Sequence, residues 1–100
     1  MVTLSVTRSR VAGVLSAAAD AFKSEPWDPY LNPLMTALDA AADCVPGKTS
    51  SDSEATTVAA WDALEAHLGQ WPGDWERTAG RTQLEVEAAL RGAAGKAAVS

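Results

Sequence analysis

Alanine occupies 21 of the 100 positions and isoleucine none, which narrows the folds open to this chain more than any other feature. Alanine has the highest helix propensity and contributes only a methyl group of volume. Strands are built from alternating β-branched and aromatic residues, and the sequence contains no such run. Bulk comes from nine leucines, eight valines, two methionines and six aromatic residues, four of them tryptophan. A chain of this length buries roughly two-thirds of its unfolded surface. The expectation is one domain over residues 1–100, an all-α compact bundle of about four helices joined by aromatic Pro- and Gly-containing loops. Indole rings, each burying about 150–250 Å² when enclosed, are expected to supply volume that alanine does not. Residues 1–6 and 95–100 are expected to fray.

The helices follow from spacing. Val11, Val14, Leu15, Ala18, Ala19 and Phe22 form one stripe at intervals of three and four, predicting a first helix from about Thr7 or Ser9 to Phe22. "KSEPWDPYLNP" then interrupts with Pro26, Pro29 and Pro33, each lacking an amide donor. Asn32 before Pro33 reads as the cap of a second helix reaching about Cys44, with Leu34, Leu38 and Ala41 or Ala42 inward, ended by Pro46 and Gly47. Ser51 with Glu54, or Ser53 alone, is expected to cap the third helix. Its inner face reads as Val58, Trp61, Leu64 and Leu68, and Gly69 suits its left-handed end. Thr82 and Glu85 make a reciprocal capping pair for the last helix, with Val86, Ala89, Leu90 and Ala93 inward. Glu87 and Arg91 are expected to pair on its outer face, and Gly92 and Gly95 to weaken its end.

Charge and chemistry exclude more than they identify. Thirteen acidic against eight basic residues give a net charge of −5, which disfavours nucleic-acid or anionic-membrane binding through a basic surface. "VAGVLSAAADAF" after Arg8 and Arg10 reads as a helix rather than a signal peptide, because Asp20 ends its uncharged run. No apolar run reaches the ~18–20 residues needed to span a bilayer. The single cysteine, Cys44, fits a reducing, cytoplasmic setting and a small core position. His67, the only histidine, has neither a nucleophile motif nor a metal-ligand partner beside it. Its place near a helix end suits a positive charge facing the helix dipole. Asp39 and Asp43, four apart, read as a solvated face rather than a metal pair. No catalytic constellation, metal site or cofactor is expected.

Two aromatic segments remain as candidate binding surfaces. "WPGDWER" carries Trp71, Trp75 and Arg77, with Arg81 following. If "PGDWER" forms a helical turn, both rings lie on one side of it, either plugging the bundle or anchoring a partner, with one ring able to serve each role. "EPWDPYLNP" carries Trp27 and Tyr30. These six residues predict a non-enzymatic protein-binding module, an adaptor or inhibitor using an aromatic and acidic surface. A small-molecule or catalytic pocket between the two loops is the alternative, and a single-strand nucleic-acid clamp ranks third. Homo-oligomerisation stays open.

"AWDALEAHLG" and "WERTAGRTQLEVEAALRGAA", with "VAGVLSAAADAF" near the start, resemble a family of small actinobacterial and actinophage proteins of unknown function. The resemblance covers Val11 to Phe22 and about Ala60 to Ala94. Its firmest part is the pattern of Trp75, Gly80, Arg81, Thr82, Val86 and Leu90. The family's Gly-Trp-Cys stretch is represented here only by "EPWDP", and "LNPLMTALDAAADC" replaces its middle segment. The resemblance implies a bacterial or phage cytoplasmic origin and an uncharacterised role; the host or cellular protein bound by the expected adaptor or inhibitor is read from the aromatic surface and not from the resemblance.

Overall fold

The structure is a computed structural model, and it describes residues 8–43, 45, 47 and 49–99, the last as backbone only. The expectations for residues 1–6, for Cys44 and for Pro46 lie outside the described residues. Among the described residues five helices follow in order, α1 (Arg8–Ala21), α2 (Leu34–Ala41), α3 (Ser51–Leu68), α4 (Pro72–Glu76) and α5 (Gln83–Val99). The fold is all-α. The most extensive pairing is α1 with α5, and both pack against α3, while α2 lies across α1 and α3.

The expected stripe of α1 is buried throughout: Val11, Val14, Leu15, Ala18, Ala19 and Phe22. It meets Val86, Ala89, Leu90, Ala93 and Ala94 in the same core. Alanines on both sides of this seam keep its contacts close to backbone size, so dispersion contacts accumulate without bulky side chains. The remaining space is filled mostly by Phe22 and by Leu15, Leu34, Leu38, Leu64 and Leu90, all fully buried. Indoles contribute less here than the composition implies: Trp75 is buried, whereas Trp27 and Trp61 sit at the margin.

Two helix starts differ from expectation. Ser50, not Ser51, caps α3: its hydroxyl accepts from the Ser53 amide at 3.1 Å, and Ser53 Oγ accepts from the Ser50 amide at 2.7 Å. This register turns Ser53 inward and rotates the buried face to Ser53, Thr56, Ala60 and Leu64. Val58 is consequently exposed and Trp61 only half-buried. The small side chains of Ser53, Thr56 and Ala60 let α3 approach its neighbours, and Thr56 Oγ1 stays satisfied by donating to the Asp52 carbonyl at 2.8 Å. Helix α2 starts at Leu34 with Pro33 preceding it, and no side chain of Pro33 caps it. Asn32 instead donates through Nδ2 to the carbonyls of Glu25 and Pro26 at 2.9 and 3.1 Å. The helix ends at Ala41, and Asp43 follows with φ 62°, so Asp39 and Asp43 do not share a helical face.

The other end signals match. Gly69 closes α3 with φ 75°. Thr82 and Glu85 exchange the expected bonds at 2.9 and 3.2 Å, and the Thr82 amide is the foremost cause holding the Glu85 carboxyl below its usual range. On α5, Glu87 and Arg91 take different partners from those expected. Arg91 reaches Asp20 of α1 at 2.7 Å, and Glu87 accepts from Gln83 at 2.9 Å.

The helix continues through Gly92 and Gly95 to Val99. Gly92 is required there by the His67 ring, which would lie 2.7 Å from a Cβ at that position. Burial, and then Lys96, depress the His67 pKa, so the ring favours its neutral form. The charged ring facing a helix dipole, expected from its position, is not the state this packing prefers. Replacing a helical glycine by alanine ordinarily stabilises by roughly 0.5–1 kcal/mol. Gly95→Ala, which meets open space, should raise the urea midpoint accordingly, whereas Gly92→Ala should lower it by displacing His67. Equal gains at both positions would show that the ring does not pack on α5.

Candidate functional site

The six aromatic and arginine residues singled out in the sequence separate into structural and exposed groups. Trp71 and Trp75 do not share a face, because Trp71 precedes α4 in an extended conformation, φ −61° and ψ 122°, while Trp75 lies within its single turn. Trp75 turns into the core. Arg81 covers its outer face, with the guanidinium 4.0 Å from the ring centroid and Nε donating to the Trp75 carbonyl at 3.0 Å. Arg81 is thus committed to the fold. Gly80 before it adopts φ 83°, a conformation that disfavours any Cβ.

Trp27, at the margin of the core, is likewise committed to the fold. Its indole Nε1 donates to Glu76 Oε1 at 3.1 Å, and the same oxygen accepts from the Leu34 amide at 3.0 Å. Glu76 is only 3% exposed. A carboxylate from α4 therefore performs the capping expected of Asn32, and negative charge at a helix N-terminus is favourable. Gln83 completes the junction. Its Oε1 accepts from the Trp27 amide and its Nε2 donates to the Phe22 carbonyl, both at 2.9 Å. No local pattern in the sequence marks Glu76 and Gln83 as junction residues, since the groups they join there lie 42 to 61 residues away.

Tyr30 and Arg77 form the exposed pair, 5.8 Å from guanidinium carbon to ring centroid. The turn presenting Tyr30 is tightly fixed. Asp28 Oδ1 accepts from the amides of Tyr30 and Leu31, each at 2.8 Å, and those bonds lower the Asp28 pKa, Leu31's first. Backbone bonds between Asp28 and Asn32 close the turn at 3.0 and 3.2 Å. Where the two aromatic loops meet, the indole and amide groups of Trp27 are spent on Glu76 and Gln83.

An open apolar groove lies elsewhere, between α2 and α3 at the start of α4. It has a volume of about 220 Å³ and is lined by Met35, Asp39, Thr57, Val58, Trp61 and Trp71. Met35, Val58 and Trp71 are each about half exposed, at 47%, 57% and 48%. Trp71 meets Trp61 edge to face, with centroids 5.2 Å apart and planes at 70°. The Trp71 ring is folded back over Gly73, where a Cβ would come within 2.8 Å of Nε1. Asp39 and Thr57 form the polar wall through a 2.7 Å hydrogen bond from the Thr57 hydroxyl. Met35 is not singled out by the sequence, and Val58 and Trp61, expected on the inner face of α3, line the groove instead because the rotation of α3 leaves them outside the core.

Chemically, the groove offers mainly apolar contact area, with the Asp39 carboxylate and the Thr57 hydroxyl as its polar groups. Among the described residues no cluster of three His, Cys, Asp or Glu side chains could hold a metal ion, and no helix is long and apolar enough to cross a membrane. Comparison of the chain with family models, curated proteins and solved structures gives no match. The residues carrying the actinophage resemblance that fall in this region have folding roles here: Trp75 is core, Arg81 covers it, and Thr82 starts α5.

Glu76 is the support on which this arrangement can be tested. Glu76→Ala leaves the buried Leu34 amide and the partly buried Trp27 indole without an acceptor and should cost about 1–3 kcal/mol. Glu76→Gln keeps an acceptor oxygen and should cost less in the same urea titration. Unchanged stability in Glu76→Ala would show that neither donor depends on it.

Proposed function

We propose that this protein is a small non-enzymatic protein-binding module, an adaptor or inhibitor acting in a cytoplasm, whose binding surface is the groove of Met35, Val58, Trp61 and Trp71. The observation that carries the reading is that Met35, Val58 and Trp71, each half exposed, are clustered with Trp61 around one groove. Clustered apolar surface of this kind marks interaction sites, and tryptophan is among the residues most enriched at binding hot spots. The groove sits on a braced scaffold, so little ordering entropy opposes association. Trp71 acts as the anchor, Trp27, Trp75 and Arg81 act as support, and Tyr30 and Arg77 form a separate exposed pair. The engagement of Arg81 with Trp75 weakens the nucleic-acid reading, which needs that guanidinium free to meet a strand. A bacterial or phage origin is the setting that the resemblance suggests, and the target of the module is a host or cellular protein.

Selection of binders from a displayed peptide library tests the reading. Enriched clones should lose binding to Trp71→Ala and Met35→Asp variants that retain helical circular dichroism, and should still bind Tyr30→Ala. Clones that depend on Tyr30 and ignore Trp71 would move the site to the loop, and clones indifferent to both would refute it.

A further inference from the structure

Charge is distributed unevenly over the helices, and the groove lies entirely on the acidic side. Helices α2 and α3 carry Asp39, Asp52, Glu54, Asp62 and Glu65 and contain no lysine or arginine. The cations of the other helices are Arg8 and Arg10 on α1 and Arg91 and Lys96 on α5. Asp52 is matched by Arg10 in an ion pair. Glu54 and Asp62 are exposed and lie one turn before and one turn after Val58, which places both carboxylates on the groove's side of α3. Asp39 lies one turn beyond Met35 and is part of the groove wall. The apolar floor is therefore bordered by carboxylates on both helices.

Building on the protein-binding reading, we infer that the groove receives a short amphipathic helix of a partner protein, with apolar anchors flanked by lysine or arginine. Three observations lead to this occupant. First, the groove lies between two helices, with Val58, Trp61 and Trp71 on one side and Met35 of α2 on the other; a short apolar floor of this kind takes a docked helix with anchors at i and i+3 or i+4. Second, no strand edge exists among the described residues, so strand addition has no template. Third, the bordering charge is of one sign. Complementary cations at the rim speed encounter and reject acidic competitors. A second copy paired symmetrically through this groove would bring the two acidic borders together, and like charges in juxtaposition oppose it.

The test uses three labelled synthetic helical peptides with identical leucine and methionine anchors and flanks of lysine, glutamine or glutamate. Fluorescence anisotropy against the whole protein should show the lysine peptide binding at least about tenfold more tightly than the glutamate peptide. Added salt should shrink that preference, and so should the Glu54→Gln/Asp62→Asn double variant. Trp71→Ala should weaken all three peptides. Gly73→Ala, which keeps every groove side chain and displaces the Trp71 ring, should do the same. Equal binding of the three peptides, lost with Trp71→Ala, would overturn the basic occupant and leave the protein-binding reading standing. Lysine-peptide binding unaffected by Trp71→Ala would overturn the inference as charge attraction away from the groove. Absence of binding by every peptide would overturn it too. If self-association of the protein in sedimentation is then abolished by Trp71→Ala, the groove belongs to a second copy.

Discussion

The arrangement of the candidate site depends on one buried carboxylate oxygen. Glu76 Oε1 accepts from the indole of Trp27 and from the first amide of α2, joining the proline-rich connection, α2 and α4 at one point. A helix N-terminus presents unpaired amides, and a charged acceptor forms stronger bonds to them than a neutral one. Burial raises the cost of losing that acceptor. Since Met35 follows Leu34 directly and Trp71 precedes α4, the same contact fixes the two sides of the groove relative to each other. The site is open, but its walls are held from beneath.

Alanine makes the rest of the bundle possible and also leaves something over. Where α1 meets α5, small side chains permit close contact and a few leucines with Phe22 complete the interior. On α3 the inward positions go to Ser53, Thr56 and Ala60, residues small enough to bring the helix in. The larger Val58 and Trp61 are then turned toward α2 and Trp71. Apolar area left outside a core costs solubility, and the surrounding carboxylates of α2 and α3 offset that.

Periodicity and capping chemistry, both local, made part of this fold legible in the sequence. The α1 stripe, the Gly69 terminus, the Thr82–Glu85 pair and the inner face of α5 follow from residues within a few positions of one another. The α3 face did not, because a hydrophobic pattern of Val58, Trp61, Leu64 and Leu68 outscored a small-residue face that closer packing prefers. The cap of α2 was misplaced for a related reason: Asn32 has the right chemistry next door, yet its amide is spent across the loop and the acceptor comes from Glu76. Of the candidate binding residues, Trp71 alone falls in the groove. Separating it from Trp75 requires the backbone conformation at residue 71, which residue identity does not reveal.

The dependence of the groove on the Glu76 contact is measured most directly by hydrogen exchange at its two donors. The Leu34 amide and the Trp27 indole N–H should both exchange slowly, with protection approaching that of core amides in α1. Exchange of either donor at the rate of an unprotected group, in a protein whose α1 amides stay protected, would contradict the account.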